Sequence, residues 1–225
     1  MADVKLVVFD VDGTLIDSLA HIKGAMAQAF EAMGEPVPEE REIRSIIGLS
    51  LPVAMDRLRP GLGDDELGAL VEAYKASFAH TRMTTPVEQT APLFPGARAA
   101  LDRLAARDDI LLGVATGKSR RGLDKMMEAH GLGHYFVTTQ VADDHPSKPH
   151  PSMLEATLRE TGADAGRAVM IGDTSFDLEM GRSAGFGTVG VNWGYHPPDA
   201  LGAIAHHMID DFEALDAALE RLWEN

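Results

Sequence analysis

The sequence lacks several features that would each point to a particular class of protein. None of its 225 residues is cysteine, which excludes disulfides and thiol chemistry. It has no run of the roughly 18 apolar residues that a membrane-spanning helix needs. Its first residues, MADVKLVVFDVDG, lack the basic start, apolar stretch and small-residue cleavage site of a signal peptide. We therefore expect a soluble, cytoplasmic protein.

Positive charge is also scarce. The 20 Lys and Arg residues are outnumbered by 35 Asp and Glu residues, and the formal net charge is -15. Nucleic acids and anionic membranes bind positive surfaces, so we expect neither as a partner. An anionic small molecule would also be repelled by the protein as a whole, so its site would need local positive charge or a metal ion. The acidic surface is compatible with a monomer or a homodimer.

Short apolar segments of strand length recur along the chain, and helix-like stretches separate the later ones. This alternation is typical of an α/β fold, in which a Rossmann-like parallel sheet is connected by crossover helices. The predicted strands are residues 4–9, 110–115, 136–141, 168–171 and 187–191.

Between the first two predicted strands lies a segment that reads almost entirely as helix. Its predicted helices, separated by GEPVP and RPGLG, are residues 20–33, 39–47, 51–58 and 64–81. About 70 residues is far more than a crossover requires. We predict a helical subdomain at 17–88, carried on linkers near 16–18 and 86–95, and a core formed by 1–16 and 89–225.

Polar residues that follow the predicted strands are the candidates for a functional site. In parallel α/β sheets, ligands bind beyond the carboxyl ends of the strands, where such residues meet. Asp10 and Asp12 follow the first strand, and repulsion between two close carboxylates suggests that the fold uses them. The other candidates are Thr116, Gly117 and Lys118 after the second strand, Lys148 in the loop DDHPSKPHP, and Asp173 and Asp177 after the fourth strand.

The carboxylates in this set are suited to a hard cation. Magnesium prefers oxygen ligands and is usually held by one or two carboxylates together with substrate phosphate. Asp10 and Asp173 can supply two carboxylates, and the backbone carbonyl of Asp12 can supply a third ligand. Asp177 lies one helical turn beyond Asp173, so we expect it to orient Lys148 or water at the metal.

The same residues are suited to phosphoryl transfer. Asp10 could attack phosphorus and form an aspartyl phosphate, which divides one difficult displacement into two easier ones. Asp12 could protonate the leaving alkoxide and later take a proton from water. The Thr116 hydroxyl, backbone amides near Gly117 and the Lys148 ammonium would hold the phosphoryl oxygens.

Four motifs resemble, in order and spacing, those of the haloacid dehalogenase-like (HAD) hydrolase superfamily: DVDGTLIDS, TGKS, SKPHP and GDTSFD. The resemblance covers essentially the whole chain, and the helical insertion is similar to a type 1 cap. The segment GVNWGYHPPDAL resembles the last strand and loop of the phosphoglycolate phosphatase-like and pyrophosphatase-like branch.

The resemblance implies a role for each candidate residue. Asp10 would be the nucleophile and Asp12 the general acid and base, with Thr116 and Lys148 on the phosphate. Asp173 would bind magnesium with the assistance of Asp177. The expected function is a magnesium-dependent phosphatase that acts on a small phosphorylated metabolite, such as phosphoglycolate.

Three other functions stay open at this point. The β-phosphoglucomutase branch also resembles this sequence, but it places a cap histidine ten residues after its second aspartate, where this chain has Ile22 beside His21. An inorganic pyrophosphatase would use the same motifs. A phosphorylatable receiver domain also combines acidic residues, Thr and Lys on a parallel sheet, although such domains lack a helical insert and an Asp12-type proton carrier.

Three further expectations concern individual residues. Gly117 stands where the family frequently has asparagine, and its backbone amide can still bind phosphate. We expect the basic residues Lys118, Arg120 and Arg121 to lie on a solvated face. We also expect the nine histidines to be surface residues.

Overall fold

A parallel β-sheet forms the centre of the molecule. The computed structural model describes residues 4–84 and 86–224, and these contain a six-stranded sheet with the order β3-β2-β1-β4-β5-β6. All neighbouring strands are parallel, which confirms the predicted fold class. The strands are β1 (Lys5–Phe9), β2 (Ile110–Thr116), β3 (Thr138–Val141), β4 (Ala168–Gly172), β5 (Gly187–Val191) and β6 (His207–Ile209).

Helices cover both faces of the sheet, which is why the central strands are mostly apolar and show no alternation of polar and apolar residues. In β1, Leu6 and Val8 pack into an apolar cluster on one face, while Val7 and Phe9 pack into a second cluster on the other. The helices are α1 (Leu19–Ala32), α2 (Glu40–Ile46), α3 (Leu51–Leu58), α4 (Asp64–Thr84), α5 (Val87–Thr90), α6 (Ala97–Ala105), α7 (Arg120–His130), α8 (Ser152–Thr161), α9 (Ser175–Ser183), α10 (Pro198–Gly202) and α11 (Leu215–Trp223).

Helices α1–α4, called the helical insert below, lie between β1 and β2 and enclose an apolar cluster of their own. This cluster includes Met26, Phe30 and Met55, and two aromatic residues of the core, Phe176 and Tyr195, also belong to it. The insert therefore packs against the carboxyl edge of the sheet, on the side where β1 and β4 end.

The two connections between the insert and the sheet run side by side. The Asp17 amide donates to the Pro92 carbonyl at 2.8 Å, and the Phe94 amide donates to the Leu15 carbonyl at 3.0 Å. The short helix α5 forms inside the predicted return linker, and the proposed boundary between residues 88 and 89 falls within it.

The structure differs from the sequence predictions at several places. The three-residue edge strand β6 was not predicted, because HMI is too short to show a strand pattern. The surface prediction is wrong for two histidines. His21 and His130 are buried: the His21 ring stacks on Phe78 with centroids 3.9 Å apart, and His130 Nε2 lies 2.9 Å from the Ala91 carbonyl oxygen. No helix in the described part of the chain has both the length and the apolar composition to cross a bilayer.

Candidate active site

Three buried carboxylates meet where β1 and β4 end. Asp10 follows β1, Asp173 follows β4, and Asp177 lies in the first turn of α9. Because β1 and β4 are neighbours in the sheet, their ends adjoin, and the three side chains offer oxygen atoms that all lie within 4.8 Å of one another. We call Asp10, Asp173 and Asp177 the carboxylate cluster.

Lys148 is buried between two members of this cluster. Its Nζ donates to Asp10 Oδ1 at 2.7 Å and to Asp177 Oδ1 at 2.6 Å. The other oxygen of Asp177 accepts the Thr174 amide at 3.1 Å and the Thr174 hydroxyl at 2.6 Å, in the capping box of α9. Both Asp177 oxygens are thus engaged, and one of them holds the Lys148 ammonium.

Asp173 is fixed by hydrogen bonds from two loops. The Thr14 hydroxyl donates to Oδ1 and the Tyr195 backbone amide donates to Oδ2, each at 2.9 Å. Both loops come so close that only glycine fits beside the carboxylate: a Cβ at Gly13 or Gly194 would lie about 2 Å from an Asp173 atom. The contact of Tyr195 with Asp173 could not be predicted, since a backbone amide leaves no signal in a sequence.

The burial of these groups determines their ionisation. Burial raises the pKa of Asp10 to about 7, although the Lys148 ammonium opposes the shift. Burial and the charges of Asp10 and Asp177 likewise raise the pKa of Asp173. Burial by itself would lower the pKa of Lys148, but its pairing with Asp10 and Asp177 raises that pKa above its ordinary value.

The net negative charge of the carboxylate cluster and its available oxygen atoms suit a divalent cation. Three carboxylates and the single Lys148 ammonium leave two negative charges when all are ionised, and burial makes such an excess costly. Asp10 Oδ2 is buried without a hydrogen-bond partner among the described residues. Oxygen donors of this kind suit a hard cation. Asp10 and Asp173 are the side chains that could hold it.

Asp12 is held apart from the carboxylate cluster. Its Oδ1 accepts a hydrogen bond from the Ser18 hydroxyl and pairs with Lys118 Nζ at 2.9 Å. The Lys118 side chain is only 8% exposed, so the prediction of a solvated face is wrong for this residue. Ser18 is a functional candidate that sequence reasoning missed. The pairing of Lys118 with Asp12 was not predicted either, because it depends on how the loops after β1 and β2 pack against each other.

The predicted phosphate-binding residues lie on both sides of Asp10. Thr116, at the end of β2, is fully buried, and its hydroxyl accepts the Lys118 amide at 3.3 Å. Gly117 lines a cavity together with Asp10 and Asp12. Lys148 reaches Asp10 from the buried side. Their contacts with phosphate remain predictions.

Gly117 also lets the helical insert approach the sheet. A Cβ at this position would lie 2.6 Å from the carbonyl oxygens of both Gly48 and Leu49, in the loop between α2 and α3. The same loop is tied to the core by the Ser50 amide, which donates to the Ser147 hydroxyl at 2.9 Å. The absence of a side chain at Gly117 therefore allows this loop to pack directly over the site.

Comparison with known proteins agrees with this geometry. The family model described as "Haloacid dehalogenase-like hydrolase" matches residues 7–191. The chain belongs to this family. The motif resemblance is thus confirmed, and the protein is a hydrolase.

Individual members of the HAD family match nearly the whole chain. A protein of Dickeya dadantii named "Probable phosphatase IndB" is 37% identical over 214 residues, which cover 92% of this chain and 89% of the relative. The phosphoglycolate phosphatase of Rhodospirillum rubrum is 33% identical over 218 residues, covering 94% and 89%. A haloacid dehalogenase-like hydrolase of Streptococcus pneumoniae has the same fold, with a TM-score of 0.81, 24% identity and coverage of 96% and 99%.

Proposed function

We propose that this HAD-family hydrolase is a magnesium-dependent phosphatase that cleaves a phosphomonoester of a small metabolite through an aspartyl phosphate. The observation that carries the proposal is the position of Asp10. This residue lines the cavity, one of its oxygens accepts from Lys148, and the other has no partner in the described part of the chain. The names of the relatives from D. dadantii and R. rubrum support phosphatase activity and make phosphoglycolate a substrate to test.

In the first step, Asp10 attacks phosphorus. A bond forms between its carboxylate oxygen and phosphorus, the bond from phosphorus to the ester oxygen breaks, and that oxygen leaves with the electron pair. Asp12 donates its proton to the leaving alkoxide. Ser18 and Lys118 hold Asp12 Oδ1, which keeps the carboxyl group directed toward the cavity.

In the second step, water attacks the phosphorus of the aspartyl phosphate. Asp12 takes a proton from this water, phosphate is released, and Asp10 returns to the carboxylate form. Lys148, Thr116 and the backbone at Gly117 hold the phosphoryl oxygens in both steps. Asp10, Asp173 and the Asp12 carbonyl would hold magnesium, which neutralises phosphate charge when bound.

The position of His21 disfavours the phosphosugar mutase alternative. Its ring is stacked on Phe78, and its two nitrogens lie 3.3 Å from the Phe78 carbonyl oxygen and 3.4 Å from the Thr90 hydroxyl. The neighbouring Ile22 lines the cavity, and no histidine is among the described residues that do so. The site thus lacks the cap histidine that the mutase branch places there. Appearance of an isomerised sugar phosphate without free phosphate would favour the mutase.

The test is a phosphate-release screen over phosphomonoesters, including phosphoglycolate, with pyrophosphate in the same panel. We expect release with magnesium and none with a chelator. Asp10→Asn should abolish release. Asp12→Asn should accept phosphate from the substrate but turn over about 10²- to 10⁴-fold more slowly, because a general acid and base is lost.

Asp124→Asn is the matched control, since Asp124 is an exposed aspartate of α7 away from the cavity. It should behave as wild type. Equal phosphate release by wild type and Asp10→Asn, or release that survives chelation, would overturn the proposed mechanism. Rapid steady turnover by Asp12→Asn would overturn the role of Asp12 alone.

A further inference from the structure

The cavity that contains the catalytic carboxylates extends far into the helical insert. Its volume is about 500 Å³, within the range of sites that hold whole small-molecule ligands. Asp10 and Asp12 line one part of it. A phosphoryl group at Asp10 would use only that part, so the rest is available to the alcohol portion of the ester.

The wall contributed by the insert is mainly apolar. It is formed by side chains of α1, the α2–α3 region and α4, including Ile22, Met26, Ile47, Leu49, Leu51 and Phe78. Several of these side chains also belong to the apolar cluster of the insert. Covering these apolar side chains with an apolar group gains free energy, whereas sugar hydroxyl groups placed against the same side chains would lose water without receiving partners.

The cationic side chains that line the cavity are either paired or exposed. Lys118 is bound to Asp12 at 2.9 Å, and its ammonium lies 5.5 Å from the centre of the Phe78 ring. Lys75 pairs with Glu72 at 2.7 Å, and its side chain is 55% exposed. Arg121 is exposed at the start of α7. A second anionic group in the substrate would therefore find no unpaired buried cation among the described residues at the apolar wall.

We propose that the preferred substrate is a phosphomonoester whose alcohol carries an apolar body about the size of an aromatic ring. The proposal rests on the proposed phosphatase function and adds the chemical class of the leaving group. Two-carbon anionic esters such as phosphoglycolate would leave the apolar wall uncovered. They are consequently expected to be poor substrates.

The experiment compares esters of primary alcohols that differ in the apolar body. With magnesium, kcat/KM for 2-phenylethyl phosphate should exceed that for ethyl phosphate and for phosphoglycolate by about 10- to 100-fold, the gain from burying a ring-sized apolar group. Calorimetry supplies a second measurement that needs no turnover. Here 3-phenylpropylphosphonate should bind more tightly than propylphosphonate by a similar factor.

Two alanines of α4 provide a matched pair of variants. Ala79 lines the cavity, whereas Ala76, three residues earlier, is exposed and does not. Ala79→Leu should fill part of the cavity and lower the ratio of the two kcat/KM values, phenylethyl over ethyl, by about tenfold, as expected for a pocket that loses room for its ligand. Ala76→Leu should leave this ratio as in wild type.

The outcomes separate this inference from the proposed function. Hydrolysis of ethyl phosphate or phosphoglycolate as fast as 2-phenylethyl phosphate, or equal affinity for the two phosphonates, overturns the inference and leaves the phosphatase function standing. Absence of phosphate release from every ester overturns the proposed function, and the phosphonate affinities then still report whether the cavity accepts an apolar body.

Discussion

Replacement of Lys148 by methionine should destabilise the protein strongly. Lys148 Nζ lies 2.7 Å from Asp10 and 2.6 Å from Asp177, and the three side chains are at most 1% exposed. Methionine has nearly the same length but no charge, so Lys148→Met leaves two buried carboxylates without their cation. Removing one partner of a buried ion pair costs about 3–5 kcal/mol. We expect a loss of this size in the free energy of unfolding.

The assay is urea unfolding at pH 8 in the presence of a chelator. Lys75→Met is the control, because the Lys75–Glu72 pair is exposed and such pairs contribute about 0–1 kcal/mol. The double variant Asp10→Asn/Lys148→Met should recover part of the loss, since a neutral amide replaces one of the stranded carboxylates. Acidification to pH 5 should also reduce the loss, because protonation of Asp10 removes a buried negative charge.

A loss below about 1 kcal/mol for Lys148→Met would refute this reasoning, because values of that size belong to exposed pairs. So would a double variant that is less stable than Lys148→Met. Either result would mean that Lys148 does not offset the charges of Asp10 and Asp177.

Two other predictions concern Gly117 and Asp10. In Gly117→Ala, the new Cβ would lie 2.6 Å from the Gly48 and Leu49 carbonyl oxygens, so the loop between α2 and α3 must move away from the site. We therefore expect faster hydrogen exchange at the Ser50 amide and a fall in kcat/KM of about 10- to 100-fold. The control is Gly133→Ala, whose new Cβ would meet no atom within 4 Å and which should change neither the exchange rate nor kcat/KM. Unchanged exchange at the Ser50 amide in Gly117→Ala would contradict the close packing at Gly117. Because the pKa of Asp10 is raised from 3.8 to about 7, the folded protein retains a proton that the unfolded chain releases, so stability falls as pH rises through that window. Asp10→Asn should therefore be more stable than wild type at pH 8 in chelator, by a few kcal/mol. Magnesium should reduce or reverse the difference, because wild type would bind it more tightly than the variant. Equal pH dependence of the two proteins between pH 4 and 7 would show that Asp10 is not responsible.

Much of the fold follows from short-range patterns in the sequence. Residues 6–9 are apolar without alternation because β1 is covered on both faces, and uninterrupted apolarity is visible in a sequence. The helices of the insert were recognisable for a similar reason, although α4 continues three residues beyond the prediction, to Thr84. The edge strand β6 escaped because pairing with β5, and not its composition, makes it a strand.

The candidate site was predictable to the extent that its residues follow strands. Asp10, Lys148, Asp173 and Asp177 come together as their positions after apolar segments suggested. The surroundings of Asp12 could not be read in the same way. Its contact with Lys118 joins two loops that are about 100 residues apart in the sequence, and no local pattern encodes such an approach.

The motifs at the strand ends were enough to predict the family, the α/β fold and the candidate residues, because such motifs carry both position and chemistry. The pairing of those residues became visible in the folded molecule. There Asp10 Oδ2 has no partner among the described residues, Gly117 makes room for a loop of the insert, and apolar side chains line the cavity above Asp10. These properties depend on the packing of the insert against the sheet. They arise from contacts between segments that are far apart in the sequence, and such contacts form only when the chain folds.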